Sequence, residues 1–375
     1  MKKIIPIILV LLCFSCERKY GIYNFDEFEK DDIYIPIPEY SREISLKNDI
    51  LFYTNRERNV LTAYNLEQKK TDTLDSICNQ IWSIFPLNDT SVFYNHCPRY
   101  NLNFCLSNYS PSKSNYNYLQ NVKDYVTHPY WGKNYECNAC LQGLSMINEK
   151  KGVIKCYERY CFFNDYTLLI RKNIPIFLIF EIDTDNNIKP KSFFGWYPKN
   201  HPTNIYYNQG WLYHYYNSSS NQYICYTQID NYIVLCDSMG RREKDVYFGS
   251  SFYKEYPPFG YEDLHSTSAE IYSYENYIAY SSFAYDPYRE VYLRVIKLPR
   301  QSKKEEVFKE KVMDFAIIVA DKDFKIKYEV FFDGTQYKCL YNNFLINANG
   351  VLIFKETKYN KNEEVKDNAT WFIFD

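Results

Sequence analysis

Short runs of alternating apolar residues, each broken by a polar turn, recur along this chain with almost no helical period between them, which points to an all-β architecture. The clearest run is Phe315, Ile317 and Val319, a turn at Asp321-Lys322-Asp323, then Phe324, Ile326, Tyr328 and Val330 set against Lys325, Lys327 and Glu329. It reads as a hairpin with one face inward. Leu178 to Asp183 before Thr184-Asp185-Asn186-Asn187, and Tyr232 to Cys236 before Asp237-Ser238-Met239-Gly240, repeat the form, because Asp and Asn bond to their own backbone in turns. A further turn falls at Tyr285-Asp286-Pro287-Tyr288-Arg289, between the strand-like runs Tyr277 to Phe283 and Val291 to Lys297, since Pro287 has no amide for a ladder. The one helical stretch, Lys303 to Val312, is charged and reads as a solvated connector.

Hairpins of this kind recur about every 45 to 55 residues, near Leu51, Val92, Leu168, Ile205, Ile278 and Phe344, which is the period of four-stranded propeller blades. The spacing predicts a β-propeller of six blades, with seven as the next fit and a pair of β-sandwich domains as the alternative fold. The 41 Tyr and 26 Phe, against 11 Gly, agree with strands.

Lys2 and Lys3 precede an apolar run from Ile4 to Leu12, too short to cross a bilayer, followed by Cys13, Phe14, Ser15 and Cys16. This layout resembles the lipobox of bacterial lipoproteins, which implies cleavage before Cys16 and acylation of its sulfur; an ordinary signal peptide and a Cys13 site are the alternatives. The organisation expected is therefore a signal peptide over 1–15, a lipidated tether and lead-in over 16–44, and the propeller over 45–375. The strand at Trp371 to Phe374 is expected to close the ring with one from near the mature N-terminus. Location follows as an outer-membrane lipoprotein, periplasmic or surface-exposed, with the membrane as a partner through the lipid. Removing Lys2 and Lys3 from the 44 basic residues leaves 42 against 46 acidic, a net charge of −4, which argues against nucleic acid as a partner.

Among the cysteines, Cys137 and Cys140, followed by Cys156 and Cys161, come close to zinc-ribbon spacing, although the second pair is separated by four residues rather than two. In an exported protein the same four can form disulfides or stay as thiols, readings preferred to zinc. Cys225 and Cys236 can pair across neighbouring strands.

No nucleophile elbow, zincin motif, phosphate loop or haem-attachment motif is present, and the five histidines stand apart in sequence. Asp165, Asp183, Asp237 and Asp286 occupy turn positions where backbone bonding already explains them. No residue is nominated as catalytic. Ligand-binding candidates come instead from rings beside Gly and Pro breaks: Trp196, Trp211 and Tyr261, joined by Arg289 on the Asp-Pro-Tyr-Arg turn.

The stretch Tyr285-Asp286-Pro287-Tyr288-Arg289-Glu290-Val291-Tyr292-Leu293-Arg294, with Phe315-Ala316-Ile317-Ile318-Val319, Asp323-Phe324-Lys325-Ile326 and Asn349-Gly350-Val351-Leu352-Ile353, resembles a family of Bacteroidetes lipoproteins carrying a domain of unknown function. That resemblance implies an anchored six-bladed propeller and carries no catalytic or binding residues with it. The functional expectation is a ligand- or protein-binding module of the cell envelope, with a glycan-acting propeller hydrolase or lyase as the alternative.

Overall fold

The structure is a computed structural model; it describes residues 20–37, 44–55, 60–76, 81–88, 91–96, 103–108, 115–118, 135–138, 144–148, 150–158, 174–184, 188–202, 212–253, 278–299, 313–338, 344–355 and 368–374. The expected helix at 303–312 lies outside them. Two strands come first, β1 (Gly21–Asn24) and β2 (Lys30–Ile33), separated by a single 3-10 turn at Phe25–Glu27. Sheet I is β3 (Ile44–Lys47), β4 (Ile50–Asn55), β5 (Val60–Asn65) and β6 (Lys70–Ser76). Sheet II is β7 (Ile81–Asn88), β8 (Ser91–His96), β9 (Asn103–Asn108) and β10 (Asn115–Tyr118). Sheet III holds β11 (Tyr135–Asn138) and β12 (Leu144–Asn148), both on β13 (Lys151–Glu158), then β14 (Phe177–Ile182) and β15 (Ile188–Phe194). Sheet IV is β16 (Leu212–Asn217), β17 (Gln222–Thr227), β18 (Tyr232–Cys236) and β19 (Arg242–Tyr247). Sheet V is β20 (Ala279–Asp286), β21 (Val291–Pro299), β22 (Met313–Ala320) and β23 (Ile326–Phe332), with β1 added on its outside. Sheet VI is β24 (Ile346–Asn347), β25 (Gly350–Phe354) and β26 (Ala369–Phe372), with β2 outermost.

The chain is an all-β propeller: the first strand of one sheet touches the first strand of the next, β24 against β3, β3 against β7, β7 against β12 and β16 against β20, so these strands face the axis. The ends of the chain meet in sheet VI, where β2 runs antiparallel to β26 and Lys30 stands opposite Phe372. β1 lies parallel to β23, with Gly21 opposite Tyr328. Residues 21–24 and 30–33, read from sequence as part of the lead-in, thus supply the outer strands of two neighbouring sheets.

The core lies in the seams between sheets, and strand alternation decides which seam a side chain enters. Leu51 and Tyr53 of β4 pack with Leu352 and Trp371 of sheet VI, whereas Phe52 between them packs with Ile84 and Val92 of sheet II. The hairpin at Phe315 shows the same division. Phe315, Ile317 and Val319 pack toward sheet VI, while Ala316, Ile318 and Ala320 are equally buried toward sheet IV. An inner sheet of a propeller has no solvent face, so the expected single inward face becomes two.

The turns form as their sequences dictate. Asp321 Oδ1 accepts from the amides of Asp323 and Lys325, both at 2.9 Å, and Phe324 takes a left-handed φ of +62°. Asp237 Oδ1 accepts from Met239 and Arg241 at 2.9 Å, and Gly240 sits at φ +80° with its Cα against Phe194, where a Cβ would lie 2.4 Å from the Phe194 Cβ.

Candidate functional site

Arg289 and Asp286 sit on the turn from β20 to β21. Asp286 is fully buried and accepts from the amides of Tyr288 (2.9 Å) and Arg289 (3.2 Å). The Arg289 guanidinium donates to Asp286 Oδ2 at 3.0 Å, to Asn347 O at 3.3 Å and to Ala348 O at 2.9 Å, and covers the Phe374 ring at 5.3 Å. It ties a turn of sheet V to a turn of sheet VI, a use sequence could not show because the acceptors are carbonyls about sixty residues away. Trp196 follows β15 and is half-buried; its indole Nε1 donates to Gly240 O at 3.0 Å, joining sheet III to the β18–β19 turn. Both candidates have their polar groups engaged by the neighbouring sheet. Trp211 and Tyr261 lie outside the described residues, as do Cys16, Cys140 and Cys161.

Cys137 stands opposite Cys156 in the β11–β13 register, and Cys156 is buried. Among the described residues no three His, Cys, Asp or Glu side chains come together as a metal site. Cys225 and Cys236 are buried thiols rather than the disulfide that their neighbouring strands suggest. The register places Cys225 opposite Val234 and Cys236 opposite Tyr223, a diagonal relation with a Cα separation of about 7–8 Å, beyond ordinary disulfide reach. The hydrogen bond between the two thiols and their burial push the Cys236 pKa up.

Two polar groups unmarked by any sequence motif lie in the seams flanking sheet IV. In the seam with sheet III, Ser145 of β12 and His214 of β16 share a hydrogen bond of 2.6 Å between Oγ and Nε2, linking first strands of successive sheets. The His214 ring packs on Phe177 at 4.6 Å. Lys155 of β13 is buried nearby, with Nζ 3.4 Å from Leu212 O and over the Phe177 ring. Burial lowers the Lys155 pKa to about 7, and burial together with the Lys155 charge lowers that of His214 to about 3. A hydroxyl, an imidazole and an amine suggest acyl transfer, yet an imidazole this reluctant to accept a proton is a weak general base near neutrality. The group is a polar joint between blades at their inner strands.

In the seam with sheet V, Arg294 of β21 is fully buried, donating to Phe248 O (2.7 Å), Thr227 O (3.1 Å) and Asp230 O (2.8 Å) and stacking 3.5 Å from the Tyr280 ring. Glu329 of β23, also fully buried, accepts from Ser250 Oγ at 2.5 Å and from the Ser251 amide at 2.6 Å. Asp230 accepts from Thr227 Oγ1 at 2.6 Å and bonds His201 Nδ1, while the buried His201 Nε2 has no hydrogen-bond partner among the described residues. Asp237 and Asp286 bond the backbone of their own turns, as their positions predict, and Asp183 pairs with Lys189 at 3.2 Å; Asp165 lies outside the described residues.

By fold the chain is similar to a DUF4221 family member from Bacteroides vulgatus, with a TM-score of 0.64 at 15% identity over 91% of this chain and 96% of that one. It is also similar, with TM-scores of 0.44 at 8% identity, to a luciferin-regenerating enzyme (92% of this chain, 94% of that one) and to a calcium-binding protein, regucalcin, from Agrobacterium tumefaciens (90% and 88%). No family model and no curated protein matches the sequence. At 15% identity the likeness to the Bacteroides vulgatus protein speaks for the propeller fold alone.

Proposed function

We propose that this protein is an exported, six-bladed β-propeller acylated on Cys16, held at the outer membrane and related to the DUF4221 proteins, which binds a glycan or protein partner without transforming it. The six hydrogen-bonded sheets are the six blades in this reading. The observation that carries the binding role is where the reactive side chains go. Asp286, Arg289, Asp230, Arg294 and Glu329 are all bonded to turns or to neighbouring sheets, and the Ser145–His214 contact involves an imidazole too weakly basic for base catalysis. A framework locked in this way holds its surface side chains in fixed positions, which favours recognition.

A glycan and peptide binding screen run beside a fluorogenic glycoside panel tests the reading. Saturable binding without product is expected. Turnover of any glycoside in the absence of binding to the screen would establish the hydrolase instead.

A further inference from the structure

Among the described residues, two pairs of cysteines stand on neighbouring strands, and their places in the ladder differ. Cys225 and Cys236 of sheet IV are diagonal neighbours, too far apart for a bond. In sheet III, Cys137 of β11 is directly opposite Cys156 of β13. Directly opposed residues of an antiparallel pair share one face of the sheet. Their Cα atoms lie about 5.5 Å apart where the pair exchanges ladder hydrogen bonds and about 4.5 Å where it does not.

The far side of β13 settles which kind this is. The Cys156 amide donates to Ile176 O at 2.7 Å, and Lys150 O, one residue before β13, accepts from the Ile182 amide at 2.7 Å. Even-numbered residues here therefore turn their backbone polar groups toward β14, and Cys156 offers neither its N–H nor its C=O to β11. The Cys137–Cys156 pair is of the non-hydrogen-bonded kind. Its Cα separation of about 4.5 Å falls within the span of about 4.4–6.8 Å that a disulfide bridges. The structure holds Cys156 in the reduced form, buried in the core cluster that joins sheets III and IV, so a bond would form while the chain folds and before that seam closes.

We infer that Cys137 and Cys156 are the partners of a cross-strand disulfide, formed when the chain folds in an oxidising compartment, and that this bond rather than a zinc ion is the use of the cysteine cluster. The oxidant is the disulfide of a thiol oxidoreductase. The Cys137 thiolate attacks one of its sulfurs and releases the other as a thiol; the Cys156 thiolate then displaces the sulfur still attached. Two cysteine thiols lose two electrons and two protons, and the donor disulfide becomes two thiols. The bond closes a ring over 137–156 that contains β12, so the axis-facing strand carrying Ser145 is held covalently between β11 and β13. The compartment rests on the export proposed above, whereas the choice of partners rests on the ladder.

The full chain synthesised in a cell-free system with a glutathione redox buffer, which supplies a disulfide oxidant without export, tests the pairing. The soluble chain is unfolded in urea with N-ethylmaleimide, cut with trypsin in the absence of reductant and analysed by mass spectrometry. Trypsin cuts after Lys133, Lys150, Lys155 and Arg159, so Cys156 leaves in a peptide separate from Cys161. The expected product joins 134–150 to 156–159, with fragmentation placing the bond on Cys137. Cys140→Ser should give the same bond in the same yield, and Cys137→Ser should leave Cys156 alkylated. Cys156 joined to Cys140 or Cys161, Cys137 and Cys156 both alkylated, or one zinc ion retained with all four cysteines protected would overturn the pairing and leave the export standing.

Discussion

Sheet IV meets a buried cation on each side, and the two seams treat it differently. Toward sheet V the cation is a guanidinium: Arg294 lies flat on Tyr280 and reaches three carbonyls at 2.7–3.1 Å, where the 228–231 connection and Phe248 leave backbone oxygens outside the ladder. Toward sheet III it is an amine: Lys155 lies over the Phe177 ring and donates to Leu212 O at 3.4 Å. A planar fork of five donors can satisfy several fixed acceptors while keeping its charge, whereas an ammonium taken from water into a ring-lined seam sheds its proton. Arg294 is thus a structural cross-link and Lys155 a pH-dependent one.

Breaking the first seam should have the largest effect. Arg294→Met leaves three buried carbonyls without their donor and is expected to cost about 3–5 kcal/mol of folding stability, read as a lower urea midpoint. Arg294→Lys should recover little of it, because a point charge cannot reach all three acceptors.

The second seam should respond to pH. The Lys155 pKa falls from 10.5 unfolded to about 7 folded, so between those values the unfolded chain holds more protons and stability rises with pH. The contribution is unfavourable in full below pH 7 and gone above about pH 10.5, a span of a few kcal/mol. Lys155→Met should flatten that slope. His214, lowered from 6.5 to about 3, adds a rise of the same sign between pH 3 and 6.5, which His214→Phe should remove from the stability profile.

Smaller losses sharpen the comparison. Glu329→Gln keeps the shape but weakens the bonds to Ser250 and Ser251, with an expected cost of about 1.5–3 kcal/mol in chemical denaturation. Arg289→Ala unties one turn from sheet VI for about 1 kcal/mol and should leave binding in the glycan and peptide screen intact; loss of binding with stability unchanged would return Arg289 to the ligand site.

Local rules made the strands and turns legible, and non-local packing hid the seams. The hairpin at Phe315 and the Asp-led turns at 237, 286 and 321 follow from alternation and from a carboxylate bonding its own backbone, both contained in a few consecutive residues. Which neighbour a face meets is not. Ser145 and His214 are 69 residues apart and on different sheets, and Arg294, at a polar-looking position in a strand, gains its acceptors from residues 46 to 67 positions earlier. Trp196 and Arg289 stand beside Gly and Pro breaks and so read as exposed, but their donors reach across to the next sheet. The lead-in carried one overlooked signal: Ile33, Ile35 and Ile37 alternate with Tyr34 and Pro36, and Ile35 is fully buried against sheets I and VI.

The most direct test of these contrasting seams is to measure urea-unfolding free energies of Arg294→Met and Lys155→Met side by side at pH 7. The account predicts a loss of several kcal/mol for the first and stability equal to or above the parent for the second. Comparable losses in both would contradict it, since the two buried cations would then be holding their seams in the same way.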